Sequence, residues 1–108
     1  MANTFKNAGV AVGTTVTTLY TCPTSTEGII HALYISNIDG TNSADVDVEV
    51  SVDGGSTFYY VGKTLPVPAD STLILDKPIN LEQNDVIRLT ASATGDLQAF
   101  ASVLEITA

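Results

Sequence analysis

The chain has 108 residues, one cysteine and a formal net charge of −8, which predicts one domain and excludes an intramolecular disulfide. Because 12 residues are acidic and only four are lysine or arginine, direct binding to nucleic acid or to an anionic membrane surface is not expected. The sequence contains no evident targeting segment and no run of roughly 20 apolar residues, the length that spans a bilayer, so we expect synthesis in a cytoplasm.

The first third of the chain predicts an arm and two strands. Residues 1–13 are largely polar and contain two glycines, which favours an N-terminal arm with a weak strand at residues 10–12, ahead of one domain at residues 14–108. Residues 14–21 are rich in threonine and predict a strand. Residues 28–38 form the longest apolar run, whose Ile, Leu and Tyr content favours a central strand covered on both faces.

The middle of the chain predicts a hairpin. Residues 44–52 alternate acidic side chains and valines, which is the period of a half-buried strand. The Asp-Gly-Gly-Ser turn at residues 53–56 tolerates positive φ and should lead into a strand at residues 57–62. Residues 65–68 contain two prolines, which restricts them to a sheet edge or a crossover because proline donates no ladder hydrogen bond.

The last third predicts short strands. We expect strands at residues 71–75, 85–92 and 97–106, an extended connection at residues 77–81, and a turn at residues 94–96 that joins the last two strands in a hairpin.

About eight short strands without a helical pattern indicate an all-β fold. The predicted architecture is a single-domain antiparallel β-sandwich, either jelly-roll-like or immunoglobulin-like, whose two inner faces interdigitate. The residues expected to line these inner faces are Leu33, Ile35, Val46, Val48, Val50, Val52, Leu73, Leu75, Ile87, Leu89 and Val103.

The acidic row Asp45, Asp47 and Glu49 poses the question of a metal site. Neighbouring members of the row are about 6.6–6.8 Å apart along a strand, too far for all three to bind one ion unaided. Calcium prefers six to eight oxygen ligands gathered by a loop, so a calcium ion near residues 39–47 stays open as an alternative. We favour a solvated outer face that discourages unwanted edge pairing, with no metal and no cofactor.

Nothing in the sequence forms a catalytic motif. Cys22 and His31 are single residues of their kind, and no nucleophile elbow accompanies them. We expect His31 to be a partly buried histidine on the side of Leu33, and Cys22 to be a buried thiol or a reduced surface thiol. The segment Phe58-Tyr59-Tyr60 could form a contact patch, since tyrosine is favoured at interfaces, but we favour core packing on one side of the strand and a half-exposed ring on the other. The sequence predicts that the protein is not an enzyme.

Several segments resemble small virion structural proteins of tailed bacteriophages, over residues 16–106. They are VTTLYTCP at residues 16–23, GIIHALYISN at 28–37, SVDGGSTF at 51–58, LPVPADSTL at 65–73 and NDVIRLTAS at 84–92. The resemblance implies a β-sandwich that forms part of the virus particle and has no catalytic residue.

The resemblance further implies a role. The leading hypothesis is a capsid decoration (cement) protein, made in the host cytoplasm and located in the virion, which binds the major capsid protein as a homotrimer. A neck, tail or baseplate component and a carbohydrate-binding or host-surface-binding module stay open as alternatives. The residues expected at the interface, placed where the chain was expected to be least self-paired, are Phe5, Lys6, Val10, Tyr59, Leu65, Pro66 and Pro68.

Overall fold

The computed structural model describes residues 2–107, and this part of the chain contains nine β-strands and no helix. None of its elements is therefore a helix long and apolar enough to cross a membrane. The strands are β1 (Ala2–Val12), β2 (Thr17–Thr21), β3 (Thr26–Asn37), β4 (Ala44–Ser51), β5 (Phe58–Val67), β6 (Thr72–Leu75), β7 (Ile79–Leu81), β8 (Val86–Ala91) and β9 (Leu97–Thr107).

Two antiparallel sheets form a sandwich, with strand orders β1-β9-β3-β6 and β2-β8-β4-β5. Strand β7 also pairs with β3, next to the stretch that pairs with β6, so β6 and β7 act as one strand interrupted near Pro78. Eight strand positions in this order are those of a jelly roll built from two Greek keys. The prediction of an all-β sandwich is confirmed, and the topology is jelly-roll rather than immunoglobulin-like.

The core lies between the two sheets and follows the period-2 pattern of the strands. Val46, Val48 and Val50 of β4 are buried, as their alternation with acids predicts. Val52 is the exception: β4 ends at Ser51, so Val52 lies in the following loop with 63% of its surface exposed. The largest fully buried side chains are Ile30, Leu33, Ile35, Leu81, Ile87, Leu89, Leu97, Val12, Val46, Val48, Val67 and Val103.

The N-terminal strand is much longer than predicted. The sequence indicates a strand only at residues 10–12, but β1 begins at Ala2 and pairs with β9 in unbroken register to Val12. The first six residues of β1 are exposed, so backbone pairing holds them without an apolar pattern that the sequence could reveal. The division of the chain at residue 13 into an arm and a domain stays a prediction.

The predicted C-terminal hairpin is wrong. Strand β8 pairs with β2 and β4, whereas β9 pairs with β1 and β3 in the other sheet. The turn around Gly95, which has a φ of 85°, therefore crosses between the sheets. Each of the two strands lies in the interior of its sheet and finds two partners there, which a hairpin between them would not provide.

Strand β3 departs from the predicted alternation at His31. A bulge between Ile30 and Ala32 adds one residue, and an added residue reverses which side chains face the core. His31 is therefore exposed rather than partly buried beside Leu33. The outer face of β3 is also exposed to solvent, since Tyr34 is 36% exposed. The prediction that β3 is covered on both faces is therefore wrong for a single copy of the chain.

The β4–β5 hairpin forms as predicted. Gly54 and Gly55 of its loop have positive φ, and the carboxylate of Asp53 accepts hydrogen bonds from the backbone N–H groups of Ser56 and Thr57 at 3.1 and 2.8 Å. Hydrogen bonding holds the pKa of Asp53 below its ordinary value, and the bond from Thr57 has the largest effect. Strand β5 lies at a sheet edge, where its proline is tolerated.

Candidate interaction surfaces

The outer side of the β1-β9-β3-β6 sheet, called the neutral face below, carries two apolar rows that run across the strands. The first row consists of Phe5, Leu104 and Ile29, which lie directly opposite one another in the register of β1, β9 and β3. The second row consists of Gly9, Phe100, Tyr34 and Ile74 and extends to β6. The rows are four residues apart on β1.

Both rows contain large side chains that face outward. Phe5 is 80% exposed, Ile74 51% and Phe100 46%. The Tyr34 and Phe100 rings are tilted by 39° with centroids 6.4 Å apart, a favourable aromatic geometry. At Gly9, a Cβ atom would lie 3.7 Å from the Phe100 ring, so the first position of the second row is open beside that ring.

Charge is scarce on the neutral face. The row between the two apolar rows consists of the small or polar residues Asn7, Ser102 and Ala32, with the exposed His31 of the β3 bulge beside Ala32. Among the strand residues of this face within residues 2–107, Glu27 is the one that carries a formal charge, and it lies at the end of β3. Lys6 has the opposite orientation, since it is in register with the buried Val103.

The outer side of the β2-β8-β4-β5 sheet, called the charged face below, carries the acidic row. Glu49 accepts two hydrogen bonds from the Arg88 guanidinium, both at 3.3 Å, and the Phe58 ring stacks on that guanidinium with its centroid 3.4 Å from Cζ. Stacked, two-pronged contacts of this kind suit arginine. Phe58 thus packs against a charge, while Tyr59 and Tyr60 are exposed, so the predicted core packing of this segment is wrong.

Asp47 also has an internal partner. Its Oδ1 atom accepts a hydrogen bond of 2.7 Å from the backbone N–H of Thr64, where β5 bulges and Thr64 adopts a φ of 55°. Within residues 2–107, no group of three or more His, Cys, Asp or Glu side chains is placed to hold a metal ion. The acids at positions 47 and 49 therefore stabilise the sheet in which they lie.

The loop after β3, a candidate calcium site in the sequence, is held by hydrogen bonds within the loop. Asp39 Oδ1 accepts bonds from the backbone N–H groups of Thr41 at 2.8 Å and Asn42 at 3.4 Å, and Oδ2 accepts one from the Asn42 side chain. These hydrogen bonds lower the pKa of Asp39, and the bond from Thr41 has the largest effect. The buried Asn37 amide donates to the carbonyl groups of Asn42 and Val67, which ties the loop to the end of β5.

The seven predicted interface residues fall on two edges of the sandwich rather than in one place. Strands β1 and β5 end their respective sheets, and they lie on opposite sides because β1 contacts β2 whereas β5 contacts β6. On β1 are Phe5, Lys6 and Val10, and on or just after β5 are Tyr59, Leu65, Pro66 and Pro68. All are exposed except Val10 and Leu65, which pack against the core.

A polar cluster between the sheets was not evident in the sequence. The Tyr20 hydroxyl donates a hydrogen bond of 2.6 Å to Glu105 Oε2, joining β2 to β9, and the Cys22 thiol donates to the Thr26 carbonyl at 3.3 Å. Burial, and then the Glu105 carboxylate, raise the pKa of both Tyr20 and Cys22. A thiol with a raised pKa and no surface exposure is a poor nucleophile.

Two clefts open on the surface of the sheets. One of about 520 Å³ lies beside Ser25, Glu27, Glu82 and Ile106 at one end of the sandwich. The other, about 440 Å³, runs along the neutral face between Gly9, Tyr34 and Phe100. Both are open rather than enclosed, as expected of contact surfaces more than of small-molecule sites.

The strand order and the two-sheet core define the chain as a jelly-roll β-sandwich protein. No protein-family model and no curated protein matches it. Among solved structures, it is similar to a chain of the disulfide-linked pili that form Bacillus endospore appendages, at 17% identity, with 98% of this chain and 87% of that chain covered and a TM-score of 0.57.

Two viral structures are also similar. A chain in the acid-stable capsid structure of Helicobacter pylori bacteriophage KHP30 is 14% identical, with 97% of this chain and 87% of that chain covered and a TM-score of 0.54. A chain of infectious bursal disease virus, Gx strain, is 10% identical, with 95% of this chain but 28% of that chain covered and a TM-score of 0.55. At these identities the likeness shows a shared fold.

Proposed function

We propose that this protein is a structural subunit of a bacteriophage virion, and specifically a capsid decoration protein that binds the major capsid protein and stabilises the head. One observation carries the proposal: the complete jelly roll is similar to a chain of a phage capsid structure over 97% of its length. The phage-like segments of the sequence agree with it. A subunit that binds only the assembled shell stabilises that shell by mass action.

The edge formed by β5 and the segment after it is the proposed contact with the capsid protein. Both predicted contact strands are sheet edges paired on one side only, β1 with β9 and β5 with β4. On β5, two tyrosines are exposed together, Tyr59 at 62% and Tyr60 at 53%, and Pro66 and Pro68 are also exposed. Tyrosine is favoured at protein interfaces because it combines an apolar ring with a polar end.

Binding to undecorated heads tests this proposal. The Tyr59→Ser variant is expected to bind heads at least about tenfold more weakly than the unmodified protein, since a buried interface tyrosine contributes on the order of 2 kcal/mol. Thr18→Ala, on the opposite edge of the same sheet, is the matched control and should bind normally. Equal binding by the Tyr59 variant removes the β5 edge from the proposal, and no binding by the unmodified protein removes the decoration role.

A neck, tail or baseplate component is the alternative within the virion. Localisation of the protein in a map of the whole particle separates the two roles, because a decoration protein repeats over the head surface. The same map gives the number of copies in each binding unit, for which the family resemblance implies three and the pairing proposed in the next section implies two.

A pilus subunit is the alternative that the similarity to the endospore appendages raises. Those pili are disulfide-linked, whereas the one cysteine of this sequence, Cys22, is fully buried and donates a hydrogen bond inside the sandwich. A link through Cys22 would require the strands to separate, which disfavours this role. Non-reducing electrophoresis of oxidised protein tests it, since ladders of linked chains would support a pilus.

A carbohydrate-binding or host-surface-binding module is the third possibility. The sequence contains no tryptophan, and the exposed tyrosines of β5 would have to provide the contact. A glycan array probed with and without a chelator tests this role, and specific binding in either condition would favour it over decoration.

A further inference from the structure

We propose that two copies of this chain pair through their neutral faces about a twofold axis. The pairing is independent of a virion role, because it follows from the surface of the sandwich alone. Its occupant is a second copy rather than another protein, for three reasons that concern charge, area and shape.

The first reason is charge. Each chain carries a formal net charge of −8, so two copies repel one another over most of their surfaces. On the neutral face, Glu27 at the end of β3 is the one formally charged residue among the strand positions within residues 2–107. Two copies that meet on this face keep their acidic rows on the far sides of both sandwiches, where the repulsion between them is weakest.

The second reason is area. With 11 residues in β9, the face is about 37 Å long at about 3.4 Å per residue and about 19 Å wide for four strands at about 4.8 Å spacing. That gives on the order of 700 Å² for each copy, close to the roughly 800 Å² that each partner buries in a standard protein interface. The face includes the large exposed apolar side chains Phe5, Ile74 and Phe100, and clustered apolar exposure of this kind marks interaction sites.

The third reason is shape, because the face is complementary to itself. A twofold axis across the strands at Asn7 and Ser102 brings the first apolar row of each copy over the second row of the other. Phe5, the most exposed large side chain, then lies over the open position at Gly9 beside Phe100. A pair of equivalent contacts of this kind is the signature of a twofold interface.

The remaining rows fit the same axis. Leu104 of each copy lies over Phe100 of the other, and Ile29 lies over Tyr34. The row on the axis contains Asn7, Ser102 and Ala32, and the exposed His31 of the β3 bulge lies beside Ala32 in this row. The charged residue of the face also finds a polar neighbour, since the axis places Glu27 over Ser36.

Sedimentation or light scattering of the purified protein tests the pairing. We expect a dimer for the unmodified chain and at least about a tenfold weaker dimer for Phe100→Asp, because a charge buried in the interface has no partner there. Thr18→Asp on the charged face, at an exposed position in register with Arg88, is the matched control and should remain dimeric. A monomeric or trimeric unmodified chain overturns the pairing, and so does a Phe100→Asp variant that stays fully dimeric.

A second variant separates loss of pairing from loss of folding. Gly9→Val fills the open position, and its Cβ would meet only ordinary contacts at 3.7 Å, so the fold should keep its melting temperature to within a few degrees. The dimer dissociation constant should rise at least about tenfold, because Phe5 of the other copy can no longer pack at this position beside Phe100. A Gly9→Val protein that pairs as tightly as the unmodified chain would contradict the proposed register.

Crosslinking locates the axis. In Ser102→Cys protein, the two introduced thiols lie next to each other across the twofold axis, and a short bismaleimide should link them in high yield. Thr90→Cys places the thiols on the far sides of the pair and should give only monomers. Equal crosslinking of the two variants would exclude the neutral face as the contact.

Discussion

The neutral and charged faces of the sandwich share one backbone geometry and differ in what their outward side chains do. Both sheets alternate core residues with outward residues along interior strands such as β4, β8 and β9. On the charged face, Glu49 pairs with Arg88, and Asp47 accepts a hydrogen bond from β5. On the neutral face, Phe5, Phe100 and Ile74 point outward without such partners in residues 2–107.

This difference shows that the inward and outward residues of a β-strand have separate roles. The inward residues determine the fold, and both sheets contribute buried apolar side chains to one core. The outward residues determine what the sheet contacts: the charged face is stabilised by its own chain, whereas the neutral face presents the kind of surface that a second protein layer covers. The apolar run of β3 reads as a strand buried on both faces because its outer side resembles an interface.

The largest loss of stability is expected from substitutions in the core, to which both sheets contribute. Leu33 of the neutral sheet and Leu89 of the charged sheet are fully buried. We expect Leu33→Ala and Leu89→Ala each to lower the free energy of unfolding by about 2–5 kcal/mol, through lost burial and the cavity that remains. Denaturant unfolding measures both. A large effect in one sheet only would contradict the view that they share one core.

The internal ties of the charged face should have a smaller effect. Arg88→Ala leaves the Glu49 carboxylate without its partner and Phe58 without the stacked guanidinium, so we expect a loss of about 1–2 kcal/mol. Arg88→Lys should recover only part of it, because an ammonium group lacks the planar two-pronged shape. Lys63→Ala, an exposed cation on the same face, is the control, and a loss as large as that of Arg88→Ala would argue against a specific tie.

Salt should strengthen the pairing of neutral faces. Two chains with a formal charge of −8 each repel less when ions screen them, so the dimer should tighten roughly threefold to tenfold between low salt and about 0.5 M NaCl. Sedimentation at several salt concentrations measures this. Dissociation on adding salt would indicate that ion pairs, rather than apolar rows, hold the copies together.

The smallest effect concerns the loop at the end of the charged face. The folded state holds the pKa of Asp53 below its ordinary value of 3.8, so the ionised carboxylate stabilises the fold above that pH, and the contribution is lost as pH falls through the lower folded pKa. Asp53→Asn should therefore lower the melting temperature slightly at neutral pH and flatten its decline in acid. Asp76→Asn, at an exposed carboxylate, is the control for a general charge effect.

The sequence predicts best what local pattern determines. Strand β4 and its turn are predicted to within a residue, because alternating valines and an Asp-Gly-Gly-Ser turn are sufficient signals. Strand β1 is missed because an edge strand held by backbone pairing needs no apolar pattern. The separation of β8 from β9 is missed because a five-residue connection fits a hairpin as well as a crossover between sheets.

The candidate surfaces depend on register, which the sequence does not reveal. Phe5 and Tyr59 are predicted as interface residues and are exposed, although their role as contacts stays a prediction. Phe100, Tyr34 and Ile74 were not selected, since nothing in three distant segments indicates that they lie side by side. The bulge at His31 adds to the difficulty, because one extra residue exchanges the inner and outer sides of β3.

The pairing of β1 with β9 has a consequence for folding during synthesis on the ribosome. The ribosome makes β1 early, yet its partner in the sheet is the last strand to emerge. Until then β3 also lacks the neighbour that separates it from β1, so the nascent chain exposes apolar strand edges that are prone to aggregation. The sandwich can close only after residue 97 and those that follow have left the exit tunnel, so β1 and β3 stay unpaired on the β9 side until then.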